Sequence, residues 1–526
     1  MRRVTFRRAT LRNVILDNAR VHTMDDARPT ASALAIRGDH IVALGTGPSV
    51  VGVERVELDG LCVLPGFSDA HVHFPTWSLA RHEVRLDCAG TLEEVVARVA
   101  AVGGRPSTMT GWIRGRGWRS GEWQPQVEPT RHDLDEVSRD VPIALMAQDG
   151  HSLWLNSAAL ARANGDLHVP GGVVEVDADG EPTGLLREEA AWHFRDRYLQ
   201  TPFSEHVDAV REAINVAHAR GVTAIHDKDG WIGALAMFEQ LRDEGALSLR
   251  VWQSLPHERL DELEANGMAS GDGDDFLRVG YVKVFMDGTL GSRTARLLDG
   301  SGVEITSRVE FSDLVARAAR VGFPVAVHAI GDQANRDALD GFTTTQGDWR
   351  LRGLRQRVEH AQLLAASDVA RFAELGVTAS VQFAHAPADR DLADRFWLGE
   401  TDRAYCYRSL LDAGARLANG SDAPVEELDP LRGIKAGVAR TLDGRDAWHP
   451  EQAVTVDEAL RATTVEPAWL AYDEQRRGSL LPGMLADLVV LDRDPYETQP
   501  EELDQIEVVA TMVGGEWVHG GPPFGG

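Results

Sequence analysis

Short apolar runs alternate with amphipathic stretches through the middle of the chain, a pattern that predicts parallel βα units. The runs that read as strands are 68–73, 222–226 (Val-Thr-Ala-Ile-His), 249–255, 280–286 (Gly-Tyr-Val-Lys-Val-Phe-Met), 324–328 (Pro-Val-Ala-Val-His), 356–360 (Gln-Arg-Val-Glu-His), 377–382 and 416–422. Helical patterns lie between several of them, as at 205–220 and 311–321. About eight such strands close a TIM-type barrel. The two ends read differently. Val14-Ile15-Leu16, Ala33-Leu34-Ala35-Ile36 and Ile41-Val42-Ala43-Leu44 are short strands between turns, and Asp487–Leu491 and Val508–Val513 resemble them. Strand patterns at both ends of a βα centre predict a composite β-sandwich from 1–66 and 470–526, flanking a barrel over 67–469. The interval between the first two barrel strands far exceeds one helix, so 80–205 reads as an insertion. It is rich in Gly and Trp (Trp112, Trp118, Trp123, Trp154, Trp192). These indoles either form its own core or wall a pocket over the barrel mouth.

In barrels of this type the chemistry sits at the C-terminal ends of the strands. The first strand ends in Asp69-Ala70-His71-Val72-His73. Strand side chains alternate faces, so His71 and His73 point the same way, well placed to hold a metal ion. A His-x-His pair alone is a weak signal, but later strand ends add to it. The fourth strand carries Lys283 between Val282 and Val284, which would face the helices and leave the lysine pointing inward. A charged, unpaired lysine there is costly; a buried ion pair with Asp287 or Glu188 would be one remedy. The fifth strand ends at His328, the sixth at His360, and the last at Asp422 in Gly420-Ser421-Asp422-Ala423-Pro424. Six ligand-type residues in order on strand ends point to a metal centre.

Composition narrows the partners. The 526 residues carry 43% hydrophobic and 26% charged side chains, as in an ordinary globular protein. No apolar run is long enough to cross a bilayer, and the basic N-terminus lacks the unbroken apolar stretch of a signal peptide, so cytoplasm is the expected compartment. A net charge of −27 argues against nucleic acid or an anionic membrane as a partner. Cys62, Cys88 and Cys406 form no Cys-x-x-Cys pair, so neither a disulfide framework nor a zinc ribbon is indicated. A small-molecule substrate is the expected partner, and a homodimer the base-rate assembly.

The motifs together resemble the amidohydrolase superfamily, in its amidohydrolase-3 branch, which includes the N-substituted formamide deformylases. The matching stretches are 65–73, Gly111–Trp118, Asp149–Asn156, Val282–Arg293, His328–Asp332, Glu359–Ala361, Ser421–Pro424 and Pro482–Leu491, which span essentially the whole chain. The resemblance implies a (β/α)8 metallohydrolase barrel with a β-sandwich, cleaving a non-peptide C–N bond in a small amide or N-acyl amine. Deaminase, cyclic amide hydrolase or ester and lactone hydrolase activities use the same centre. It implies one or two divalent ions, zinc foremost: His71, His73 and Asp422 on one, His328 and His360 on the other. Lys283, as a carbamate formed with CO2, would bridge them. Asp422 would take a proton from the attacking hydroxide and pass it to the leaving nitrogen. Candidate substrate contacts are His151, Trp112, Trp118, Glu188, His226 and Arg293, with Glu188 also a fallback bridging carboxylate.

Overall fold

A computed structural model describes residues 13–45, 54–87, 89–101 and 111–522. Cys88 and the first twelve residues of the basic N-terminus lie outside them. At its centre is a parallel eight-stranded sheet whose strands we label β1 (Phe67–Val72), β2 (Val222–Asp227), β3 (Arg250–Pro256), β4 (Leu277–Phe285), β5 (Val325–Ala329), β6 (Arg357–His360), β7 (Thr378–Val381) and β8 (Leu417–Asn419). Each pairs with its neighbour in sequence. The circle is nearly closed where the loop after β8 meets β1: Asp422 N–H donates to His71 C=O at 2.7 Å, and His73 N–H donates to Ala423 C=O at 2.9 Å. Only glycine fits that approach, since a Cβ on Gly420 would stand 2.4 Å from the His71 nitrogen.

The expected βα rhythm is present. Helices Phe203–Ala219 and Arg308–Val321 match the two patterns singled out. The second is framed by a Ser307–Glu310 capping box and by Gly322 in the left-handed region at φ +94°. Along β4, Val282 and Val284 join the shell between strands and helices, while Tyr281 and Lys283 turn into the barrel. The last strand is shorter than its apolar pattern. It stops at Asn419, and Asp422 stands beyond it in a loop.

Strands from the two ends of the chain share a sheet: Cys62–Pro65 pairs with Leu488–Leu491 on one side and with Arg20–His22 on the other. A four-stranded sheet from residues 13–57 packs on it through Val14, Leu16, Ile36, Val63, Leu488 and Met512. Arg250 of β3 and Asp487 join this unit to the barrel, with guanidinium–carboxylate distances of 2.6 and 2.9 Å. Between β1 and β2 the chain builds a further six-stranded sheet, from Val84 to Glu188, with its own apolar cores. Cys62 and Cys406 are buried and unpaired. Among the described residues, no helix is long and apolar enough to cross a membrane.

Candidate metal centre

Five histidines form an arc across the barrel mouth. Taken in the order His73, His71, His360, His328 and His151, successive ring centroids lie 5.6, 4.8, 4.4 and 6.3 Å apart. Asp422 closes one end of it: its Oδ1 is 3.2 Å from His71 Nε2 and 3.5 Å from His73 Nε2. Donor atoms of His71, His360 and Asp422 lie within 4.8 Å of one another, the spacing of a ligand set around one cation. Two of the six expected ligands lie deep and poorly satisfied: His71 Nε2 faces only the Asp422 carboxylate at 3.2 Å, and Lys283 Nζ has no hydrogen-bond partner. Buried polar atoms are rarely left so. A cation on the first and a carbon dioxide adduct on the second would each supply the missing partner.

The other ring nitrogens are tied down, which fixes the faces left for a metal. His71 Nδ1 is 2.8 Å from Glu359, His73 Nδ1 2.7 Å from Asp229 and His360 Nδ1 2.9 Å from Gln382 Oε1. His328 is held the other way round, its Nε2 3.1 Å from the Gly288 carbonyl, which leaves Nδ1 for the centre. Carboxylate or carbonyl anchors of this kind orient metal-binding imidazoles. Glu359 is itself held by Arg357 (2.8 Å) and Lys228 (3.1 Å). Burial opposes its charge, yet Arg357, Lys228 and His71 keep it well below the usual carboxylate range.

Electrostatics divide the imidazoles: burial lowers His71, whereas Asp229 and Asp422 overcome burial and raise His73. Burial, with the neighbouring basic groups, drives His328 and His360 well below the ordinary histidine range. Burial pushes the Lys283 amine down to about 8. Burial also disfavours charge on Asp422, but His71, His360 and His73 outweigh it and hold the carboxyl well below its normal value. Backbone geometry at the site is unusual. His360 (φ +75°), Ala361 (+47°), Asp422 (+56°) and Glu188 (+52°) are left-handed residues other than glycine, and such strain collects at functional sites.

The expected substrate contacts divide. His151 and Glu188 stand at the mouth as a pair, Nδ1 to Oε2 at 2.7 Å. Lys283 makes no ion pair with Glu188 or Asp287, and Asp287 instead accepts backbone N–H groups of Arg296, Ile330 and Gly331. Trp112 and Trp118, candidates for either the insertion's core or the pocket wall, belong to the insertion's cores. Trp118 packs on Trp123 and Trp154 and donates its indole N–H to Leu145 C=O at 2.9 Å, while Trp112 meets Phe194 edge-on. A ring already enclosed by neighbours has no face left for a substrate. His226 is fully buried beneath the centre, its Nδ1 3.1 Å from Arg357, and Arg293 is more than half exposed over Phe396.

Several residues were not anticipated: Asp229, Gln382, and above all His385. The His385 Nε2 is buried without a partner 3.8 Å from Asp422 Oδ2, while Gln362 donates to its Nδ1 at 3.1 Å. Trp192, Phe285 and Trp231 form an aromatic face running outward from His328 and His151.

A profile of the amidohydrolase family matches residues 54–519. The chain belongs to this family. It is 30% identical over 490 residues to the putative amidohydrolase YtcJ of Bacillus subtilis (strain 168), covering 89% of this chain and 90% of that one. It is 29% identical to the N-substituted formamide deformylase of Arthrobacter pascens over 538 residues, 96% of this chain and 98% of that protein. An uncharacterized metal-dependent hydrolase from Pyrococcus horikoshii OT3 superposes with a TM-score of 0.75 at 28% identity, over 93% of this chain and 99% of that one. An amidohydrolase in this family is an enzyme of the metal-dependent hydrolase type, and the eight-stranded parallel barrel agrees with that.

Proposed function

We propose that this amidohydrolase cleaves a non-peptide C–N bond in a small amide, of the N-formyl or N-acyl amine class, in the cytoplasm. The observation that carries the reading is the convergence of His71, His73 and His360 on Asp422, beside a buried, unpartnered Lys283 amine. His71, His73 and Asp422 would hold one divalent ion, zinc foremost given the imidazole ligands. His328 and His360 would hold a second. Lys283 would join them after its amine nitrogen bonds to CO2 and loses a proton, which turns a costly buried cation into an anion. A bound dication supplies Lewis acidity, acidifying water and polarising a carbonyl.

The chain's own groups do the rest. Glu359, Asp229 and Gln382 hold the imidazoles in register. Asp422, kept anionic by its histidine neighbours, accepts a proton from the attacking water. The aromatic face of Trp192, Phe285 and Trp231 suits an apolar substituent on the substrate. The similarity to a formamide deformylase over almost the whole chain favours amides over lactones and cyclic ureides. The test is a panel of formamides, N-acyl amines, lactones and cyclic ureides given to metal-loaded enzyme, with amine and ammonia release followed separately. Amine release from formamides or N-acyl amines is expected. Turnover confined to lactones, or ammonia as the main product, would refute the assignment. Intact-mass measurement in bicarbonate checks the lysine adduct.

A further inference from the structure

We propose that His151, oriented by Glu188, delivers the proton to the leaving nitrogen as the C–N bond breaks. The inference rests on the C–N hydrolase reading above and moves the second proton transfer from Asp422 to a group carried by the insertion. Hydrolysis of an amide needs a proton taken from water and another given to a poor leaving group. The arc supplies a candidate at each end: Asp422 beside His71 and His73, and His151 beyond His328. A scissile bond laid across the arc would have one of them on either side.

The geometry of His151 is built rather than incidental. It precedes the strand Ser152–Leu155, and Glu188 ends the antiparallel partner strand Pro182–Glu188. The two are tied twice, by Glu188 N–H to His151 C=O at 2.8 Å and by Nδ1 to Oε2 at 2.7 Å. With Nδ1 gripped, Nε2 is the nitrogen left to meet a ligand. Trp192 holds the ring edge-on at 4.8 Å. Asp149 Oδ1 accepts the His151 N–H at 3.0 Å, and its Oδ2 accepts the Ser292 hydroxyl at 2.6 Å. The turn is thus fastened to the loop after β4, the same loop whose Gly288 carbonyl orients His328. Glu188 reaches this position through a backbone that non-glycine residues seldom adopt (φ +52°, ψ −131°).

The step balances. The water oxygen bonds to the carbonyl carbon as its proton passes to Asp422. The C–N bond then breaks as the His151 Nε2 proton moves to nitrogen, which leaves as a neutral amine. The acid product and Asp422 each release a proton; one restores His151 and the other goes to solvent.

The experiment compares N-butylformamide, whose leaving amine must be protonated, with 4-nitroformanilide, whose amine leaves readily without help. In the metal-loaded enzyme, His151→Asn is expected to lower kcat on the butyl substrate by about 10²–10³-fold, within the range of general-acid effects. On the anilide the loss should stay below about tenfold, with metal content unchanged. Glu188→Gln should show the same substrate dependence with a smaller loss, and it serves if the first variant folds poorly. Equal losses on both substrates, or none, would overturn the assignment. Failure of the wild type to release amine from either substrate would refute the C–N reading itself, and this proposal with it.

Discussion

Glu359 offers the sharpest test of how the centre is held. It grips the His71 imidazole while sitting between Arg357 and Lys228, all fully buried. Glu359→Gln keeps the shape and removes the charge. Breaking a buried pair costs about 3–5 kcal/mol because a charge is left without a partner. Arg357 cannot shed its proton, so the lower end, about 3 kcal/mol, should appear at any pH. Lys228 behaves differently: burial first, then Arg357, push its amine down to about 7, while Glu359 pulls the other way. Without Glu359 that value falls further. The folded value lies below the unfolded one in both proteins, so each loses stability as pH falls toward it. The wild type stops losing near 7 and the variant continues. At pH 6 the deficit should therefore exceed its pH 8 value by up to about 1.4 kcal/mol. Urea unfolding of chelator-treated protein at the two pH values measures this directly. Zinc competition should show affinity weakened about 10–100-fold, as when other anchors of ligating histidines are removed. A variant with wild-type zinc affinity, or a deficit that shrinks at low pH, would show that Glu359 neither orients His71 nor sustains Lys228.

Three further outcomes follow from the same geometry. Chelation should abolish turnover and added zinc restore it, and His360→Ala should lower the bound-metal stoichiometry measured by elemental analysis. His385→Ala should reduce kcat/KM about 10–100-fold, the value of one hydrogen bond from its unpartnered Nε2 to a charged group of the bound substrate, with metal content intact; a parallel loss of metal would make His385 a ligand instead. Trp118→Ala should cost about 3–5 kcal/mol by emptying the Trp118–Trp123–Trp154 core. Faster hydrogen exchange confined to 84–188, with zinc affinity unchanged, would show that this loss stays within the insertion.

How much of this was legible before the structure depends on which force places each residue. Barrel strands show in the sequence because a strand buried on both faces must be apolar almost throughout, and β2 and β5 begin and end within a residue of the expected ranges. His71, His73, His328 and His360 could be read as strand-end groups for the same reason. The insertion's tryptophans could not be placed, because a large ring packs equally well into a core or a pocket wall, and only the pairing within the sheet from Val84 to Glu188 decides between them. The anchors Asp229 and Gln382 were hidden because nothing local says which loop will face a ring nitrogen 156 or 22 residues away. Glu359 and His360 are the most instructive pair. Strict alternation would send adjacent strand residues to opposite faces, yet both meet the metal centre. His360 is the last residue of the strand: it turns to φ +75° and swings its imidazole back over the barrel mouth while Glu359 still points inward. Asp422 reaches the same mouth through a left-handed backbone of its own at φ +56°. Left-handed geometry usually announces itself by Gly or Asn. Here the residue types suit the ion that His360 and Asp422 would hold, and the backbone takes a conformation that their side chains do not favour.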